Sequence, residues 1–540
     1  MIRQRIEKGR EAIERIKKAS ENGYGENLSL LLKLVSENRN TLFGSEHSFK
    51  DIENYEDFAK NVPLSVYADY ENYIERIENG EKNILSSRDT VHFAISSGSQ
   101  GKPKRVPMTK EAVELFALYT HAAAFAVMYG EKPWNTENRG VSFTEVRFKT
   151  QPNGFTYGAV SGKVREKYRD FEHKIYTTPE CIAYPKCELD FHYLHLRFAL
   201  CERDLSFITC TFISSVFSMM KYLENNWKML ADDIESGTIN KSVRICGEIL
   251  EKVTPLLSPD KTRADELREE FGRGFYNIMP RIWKKLRFIY GISGGSFQMY
   301  CSKLRKYSGN TPIHFSVYSA SEGIFAFPLS SESQSMVLIP FGAFYEFMDI
   351  NTNEIVTMDK VKTGGEYELI ITNLSGFYRY RMGDVIKVTD FYATLPMIRF
   401  MYRRKQVLSL CGEKTTEECM NEVFRLVTEQ TGLDIAEYTI AADTEAFPQR
   451  YIVFVEEDAG IEPSRLRNII EEKLCVLNFS YAEKRGNGKI GPLELKLMKR
   501  GTYALYRQKV AQRGASPNQV KPIRVADTEE KKKFMLGNTV

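Results

Sequence analysis

Three short clusters in this sequence combine side chains that can handle phosphate, metal and ribose. The first is Ser96-Ser97-Gly98-Ser99-Gln100-Gly101, followed by Lys102, Lys104 and Arg105. Its hydroxyls and the N–H groups of a glycine-rich backbone can face an anion while the basic residues offset charge, a combination suited to a polyphosphate. The spacing is not the GxxxxGK[ST] of a Walker loop, which argues against that class of NTPase, and the same composition also occurs in ordinary surface loops. The second cluster is Tyr318-Ser319-Ala320-Ser321-Glu322-Gly323. An aromatic can stack on a base, and a carboxylate beside the Ser321 hydroxyl can hold Mg2+ against phosphates, because that hard cation takes oxygen ligands and keeps several waters. The competing reading is a half-buried tyrosine and a solvated glutamate in a turn. The third is Gly383-Asp384, ahead of the alternation Val385-Ile386-Lys387-Val388. There a carboxylate could accept both hydroxyls of a ribose; alone, it is equally a turn residue.

The elements around these clusters are legible from periodicity. Val91, Phe93 and Ile95 alternate with His92, Ala94 and Ser96, so a half-buried strand runs into the first cluster. After it, Thr109 stands as an N-cap, and Ala112, Leu115, Phe116, Tyr119 and Ala123 continue at helical spacing. The loop therefore joins strand to helix. Phe315 and Val317 place a strand before the second cluster, and the run EYELIIT places one before the third. Upstream, Leu28, Leu31, Leu32 and Val35 form a helical stripe in a largely helical stretch to about residue 90. The uncharged run Leu205 to Met220 is short for a membrane span and rich in Ser and Thr, and reads as a buried strand turning into a buried helix. Beyond about residue 410, strand-like runs (Tyr438 to Ala442, Tyr451 to Val455, Leu493 to Met498) alternate with helical ones, the pattern of a small α+β domain.

The 540 residues exceed one compact core, and two or more domains are expected. Lys+Arg 75 against Asp+Glu 71, a net charge of +4, lacks the basic excess of a nucleic-acid binder. The nine cysteines are odd in number and contain no CxxC pair, which fits reduced cytoplasmic thiols rather than disulfides or zinc. The seven histidines form no metal constellation; His192 and His195 stand at i,i+3 without further ligands nearby. The charged N-terminus MIRQRIEKGREAIERIKK has no apolar core of a signal peptide and reads as an amphipathic helix. No membrane association is expected.

The three clusters, in this order and each following a strand, resemble the motifs of the acyl-adenylate-forming superfamily that includes luciferases and acyl-CoA synthetases. The chain is more closely similar to the Gretchen Hagen family of auxin-responsive acyl-acid amido synthetases, through VPLSVYADYENYIERIENGE, IWKKLRFIYGISGGSFQMY, YSASEG, GEYELIITNLSGFYRYRMGDV, RRKQVLSL with GEKTTE, and RGASPNQVK, which together span nearly the whole length. The resemblance implies an α/β fold with a large N-terminal domain (1–404) bearing the strand–loop–helix nucleotide site and a small mobile α+β C-terminal domain (405–540). It implies ATP and Mg2+, with Ser96, Ser97, Gly98 and Ser99 at the phosphates, Tyr318 on adenine, Ser321 beside it, Glu322 on Mg2+ and Asp384 on the ribose. Arg404 would mark the hinge at the nucleotide, Lys414 would face the phosphate or acyl group, and Lys521 would be a second lysine brought by the small domain. Two departures stand out: Gln100 replaces the family's threonine or serine, and the loop is one residue shorter. The implied reaction adenylates a carboxylic acid and transfers the acyl group to an amino acid; the alternatives are transfer to coenzyme A or a carrier thiol, and a nucleotide-binding protein without catalysis.

Overall fold

The computed structural model describes residues 2–96, 104–130, 139–293, 298–315, 317–331, 333–403, 408, 410, 413, 415–446, 448–456, 460–486, 490–512 and 520–540. Four sheets organise them. An all-but-antiparallel sheet of order β2-β1-β5-β4 contains β1 (Thr90–Ser96), β2 (Lys104–Thr109), β4 (Phe148–Thr150) and β5 (Thr156–Gly158). A parallel sheet, β3-β6-β7-β8, is built from β3 (Val141–Phe143), β6 (Phe207–Phe212), β7 (Phe288–Ile292) and β8 (Ile313–Phe315). The eight-stranded sheet has the order β13-β12-β14-β15-β16-β11-β10-β9. Its members are β9 (Tyr318–Ala320), β10 (Gly323–Phe327), β11 (Met336–Leu338), β12 (Ala343–Asp349), β13 (Ile355–Thr357), β14 (Glu366–Asn373), β15 (Tyr380–Tyr392) and β16 (Leu395–Arg403). The C-terminal region adds β17 (Tyr438–Asp443), β18 (Arg450–Glu456) and β19 (Glu494–Met498), flanked by helices such as Glu417–Thr431 and Pro463–Leu477. The architecture is the α/β fold read from the sequence, a large N-terminal part and a smaller C-terminal one.

The helices of residues 2–78 lie over the eight-stranded sheet and share one core with it. Arg379 ties the two together: its buried guanidinium bonds Glu346 at 2.7 Å and donates to the carbonyls of Ala59 at 2.9 Å and Val62 at 3.0 Å. Phe43 and Phe49 pack on Tyr378, with ring centroids 4.7 and 5.0 Å apart. The uncharged run from Leu205 becomes β6 followed at once by the helix Ile213–Ser236, as its composition predicts. A second core continues from the parallel sheet and its helices into the small domain, where Met420, Phe424 and Tyr438 join it. One described helix, Lys110–Tyr129, is long and apolar enough to cross a bilayer by length and composition; most of it is buried in the core.

Two expectations need correction. Cys187 and Cys246 are joined as a disulfide, because the fold brings the helix Gly247–Val253 beside the segment after Ala183, a contact that spacing along the chain does not reveal. Asp384 does not begin a strand but lies inside β15, just past Gly383, which has φ +71°. Of the two histidines at i,i+3, the buried His195 bonds the Thr178 hydroxyl through its ring at 3.0 Å, and the partly buried His192 stacks on Tyr222.

Candidate functional site

Glu322 is presented by a tight turn of the large sheet. Ala320 pairs with Gly323 across β9 and β10, so Ser321 and Glu322 form a two-residue hairpin loop. Asn373, at the end of β14, donates its side-chain N–H to the Glu322 carbonyl at 2.7 Å and fixes the turn to the sheet. The Glu322 carboxylate then accepts from the Tyr380 hydroxyl at 3.2 Å, and that hydroxyl in turn accepts from Lys104 Nζ at 2.9 Å. Lys104 opens β2, directly across from Ser96 at the end of β1. Lys104 is thus linked to Glu322 through the Tyr380 hydroxyl. Burial and then Glu322 raise the Tyr380 pKa, so its phenol stays a proton donor over any working pH.

Asp384 owes its position to a β-bulge. Between β14 and β15 the pairing moves from Glu368↔Val385 to Ile370↔Arg381, so β15 carries extra residues there, and Gly383 supplies the left-handed backbone that re-aims the next side chain. On its other side Asp384 is the direct cross-strand partner of Arg403. The buried carboxylate accepts from Arg403 Nε at 2.5 Å and from the Tyr318 hydroxyl at 2.9 Å. Asp384 is the main cause of a raised Arg403 pKa, while burial first and Asp384 second raise that of Tyr318. The Tyr318 ring is itself buried, leaning on Phe325 and Phe400.

The small domain contributes Lys521. Its segment runs beside β17: the Thr439 hydroxyl bonds the Ile523 carbonyl at 2.6 Å, and Ile440 and Val525 form a parallel bridge. Lys521 is solvent-accessible along its side chain, and its charge lies within electrostatic range of Arg403, Asp384, Glu417 and Glu322. Desolvation there and the neighbouring Arg403 lower its pKa, against the opposing pull of Asp384, Glu417 and Glu322. Lys521, Glu322 and Asp384 therefore share one electrostatic neighbourhood. Of the other sequence-derived candidates, Ser321 lies in the turn with Glu322, and Ser96 ends β1. Ser97, Gly98, Ser99, Arg404 and Lys414 lie outside the described residues.

Sequence reasoning named Lys104 without singling it out and missed two members of this group. Lys104 was visible as one of the basic residues after the loop, but nothing local separates it from Lys102. Arg403, one residue before the expected Arg404, is selected by the β15–β16 register. Tyr380 is one of several aromatics in GFYRYR, and only the fold brings it to Glu322 and Lys104. Among the described residues no group of three or more His, Cys, Asp or Glu is placed to hold a metal by itself. A single carboxylate in an open turn suits Mg2+, which is commonly held by one or two carboxylates together with substrate phosphates.

Three family profiles cover the chain in succession: the GH3 family N-terminal domain at residues 12–313, the central domain at 336–403 and the C-terminal domain at 415–530. The chain belongs to the GH3 family. It is 31% identical over 497 residues to the indole-3-acetic acid-amido synthetase GH3.8 of Oryza sativa subsp. indica, covering 86% of this chain and 82% of the rice protein. It is 30% identical over 482 residues to the jasmonoyl–L-amino acid synthetase JAR6 of Nicotiana attenuata, covering 83% and 81%. The solved structure of the GH3.15 acyl acid amido synthetase superposes with a TM-score of 0.85 at 27% identity, covering 97% of this chain and 95% of that one. This GH3 chain is accordingly an acid–amino acid ligase of the adenylate-forming fold.

Proposed function

We propose that the cleft between the eight-stranded sheet and the small domain activates a small carboxylic acid with ATP and Mg2+ and passes its acyl group to an amino acid. The observation that carries the reading is the convergence of Glu322, Asp384 and Lys521 from distant parts of the chain, with Lys104 linked to Glu322 through Tyr380. A non-catalytic nucleotide-binding module has no use for all of them. A carboxylate is a poor electrophile because an oxide would have to leave. Attack of its oxygen on the α-phosphorus of ATP releases pyrophosphate and leaves AMP as a good leaving group. A neutral amine then attacks the acyl carbon, the C–O bond to AMP breaks, and the amine loses its proton.

In the first step the residues must offset charge, and fixed charges do so mainly by being in place beforehand. Ser96, Ser97, Gly98 and Ser99, with Ser321 near the turn, hold the phosphates, and Lys104 neutralises them. Asp384, oriented by Tyr318 and Arg403, holds the ribose, and Tyr318 meets the adenine. Glu322 is the residue that would hold Mg2+, whose positive charge would screen the phosphates. Lys521 and Lys414 meet the charge that builds between acid and α-phosphate. We set the domain boundary at 404/405, with Arg404 at the hinge. The setting is taken as cytoplasmic; among the described cysteines six are free thiols, while Cys187 and Cys246 form a disulfide.

The test is ATP–pyrophosphate exchange over a library of carboxylic acids, followed by mass spectrometry of reactions given either an amino-acid mixture or coenzyme A. Mg2+-dependent exchange with an acid and an amide product are expected. A thioester with coenzyme A, and no amide with any amino acid, would overturn the acceptor; no exchange with any acid would overturn the activity.

A further inference from the structure

The small domain also meets the large one at Asp434. Asp434 lies between the helix Glu417–Thr431 and β17. Its carboxylate is 2.6 Å from Nζ of Lys303, on the helix Gln298–Ser308, and 3.6 Å from Nζ of Lys221, on the helix Ile213–Ser236. Both lysines belong to the large domain. Lys303 is 11% exposed while Asp434 is 48% exposed, so the contact spans the rim of the interface with its cationic end inside. The Lys303 contact is close without being a well-directed hydrogen bond, and so acts chiefly through charge.

What lies on the other side of Asp434 gives this contact its reach. The segment from Asp434 into β17 is laced to the segment that carries Lys521. Arg524 donates to the carbonyls of Tyr438 at 3.4 Å and Ala436 at 3.5 Å, the Ile440 N–H donates to Arg524 O at 2.8 Å, and the Ala526 N–H donates to Ile440 O at 2.9 Å. Arg524 is buried, stacked over Tyr438, and interacts with Tyr300 on the same helix as Lys303. Residues 436–440 and 523–526 are thus held together by a parallel bridge between Ile440 and Val525 and by these hydrogen bonds, with Asp434 just ahead of the first segment and Lys521 just ahead of the second.

We propose that Asp434 is a positioning residue: its ion contacts with Lys303 and Lys221 clasp the small domain so that Lys521 stands among Glu322, Asp384 and Arg403. This rests on the proposed function only for its consequence in catalysis; the placement of Lys521 is a property of the protein without substrates. The charged groups facing Lys303 are Asp434, Arg524 and Lys221. Burial lowers the Lys303 pKa to about 8 although Asp434 raises it. At Asp434 desolvation acts upward, and the two lysines outweigh it. A cation held at that cost in solvation needs its carboxylate, as does the position of the domain that carries it.

The test uses the full chain and two readouts. One is the pH titration of Lys521 by competitive acetylation with acetic anhydride, read by mass spectrometry; the other is pyrophosphate exchange. Asp434→Lys should release the clasp, relieve the desolvation of Lys521 and move its titration up toward the ordinary lysine value of about 10.4. Exchange should fall about tenfold. The exchanged pair Asp434→Lys with Lys303→Asp, made together with Lys221→Gln to remove the repulsion that a lysine at 434 would meet, should restore both. Asp434→Asn carries the same titration readout should the lysine variant not fold. An unchanged Lys521 titration in any folded Asp434 variant, or no recovery in the exchanged pair, overturns the clasp. If no acid supports exchange in the natural chain while Lys521 still responds to Asp434, the proposed function fails and the clasp stands.

Discussion

Removing one hydroxyl, in Tyr380→Phe, isolates the bridge between Lys104 and Glu322. That oxygen accepts from the ammonium at 2.9 Å and donates to the carboxylate at 3.2 Å, and the ring is almost fully buried, so no rearranged tyrosine can replace it. A hydrogen bond to a charged group contributes about 1.5 to 3 kcal/mol net. Two such bonds are lost, but both end groups are half-buried and recover part of the loss from water. The expected loss is about 1.5 to 3 kcal/mol in transition-state stabilisation, roughly a 10- to 100-fold drop in kcat/KM for MgATP. The assay is pyrophosphate exchange at saturating acid with ATP and Mg2+ varied independently, with stability followed by urea. The comparison is Tyr378→Phe, whose hydroxyl bonds the Leu85 carbonyl at 2.8 Å in the buried core. That variant should lose about 1 kcal/mol of stability and leave the Mg2+ dependence alone. Should Tyr380→Phe keep kcat/KM and Mg2+ dependence, or should both variants lose activity in proportion to stability, the bridge has no role in organising the site.

Glu322→Gln should keep the fold and lower Mg2+-dependent turnover by about two orders of magnitude, the scale for one electrostatic stabiliser; unchanged turnover with the cognate acid removes Glu322 from the site. Because the Lys521 pKa is lowered, its charge is lost on the alkaline side earlier than for an ordinary lysine, so exchange should decline there, and Lys521→Arg should flatten that limb of the pH profile. His92, His121 and His192 are pushed down by burial to about 4, 3 and 4, so the unfolded chain binds protons that the native one excludes as pH falls below about 6.5. Stability should therefore be full above that pH and fall toward pH 4, by about 1.4 kcal/mol per pH unit for each histidine, with a shallower fall in His92→Gln measured by urea titration. Gly376→Ala should fail to accumulate as folded protein, since Gly376 has φ +98° and a Cβ would stand 2.8 Å from the Leu85 carbonyl oxygen; normal yield and melting temperature would refute it.

Local patterns reached the elements of the site but not their pairings. The strand from Val91 and the N-cap at Thr109 were legible because alternation and capping are short-range; Thr109 Oγ1 does accept from the Ala112 N–H at 3.3 Å. The buried character of Leu205 to Met220 was legible from its lack of charge. What stayed hidden depends on register or on distance along the chain. Whether Arg403 or its neighbour meets Asp384 is decided by the register break between Val385 and Ile386 in the β15–β16 pairing, since a strand shifted by one residue turns every side chain to the other face. The Lys104–Tyr380 contact joins residues 276 apart, and the Asp434 contacts join a loop to two helices far away in the chain. Disulfide pairing between Cys187 and Cys246 is likewise a result of how two segments meet.

The guanidinium of Arg379, which joins Ala59 to the large sheet across 320 residues, sets a timetable for biosynthesis. At the usual 5 to 20 residues per second, a ribosome takes roughly 16 to 64 s to travel from one partner to the other. For most of that interval Phe43, Phe49 and Phe58 have been made, while Phe344 and Tyr378, the rings that cover them, have not. The first helices of this enzyme must wait with their apolar face uncovered, so nascent chains stalled before residue 344 should bind general chaperones heavily and those extended past residue 403 should release them.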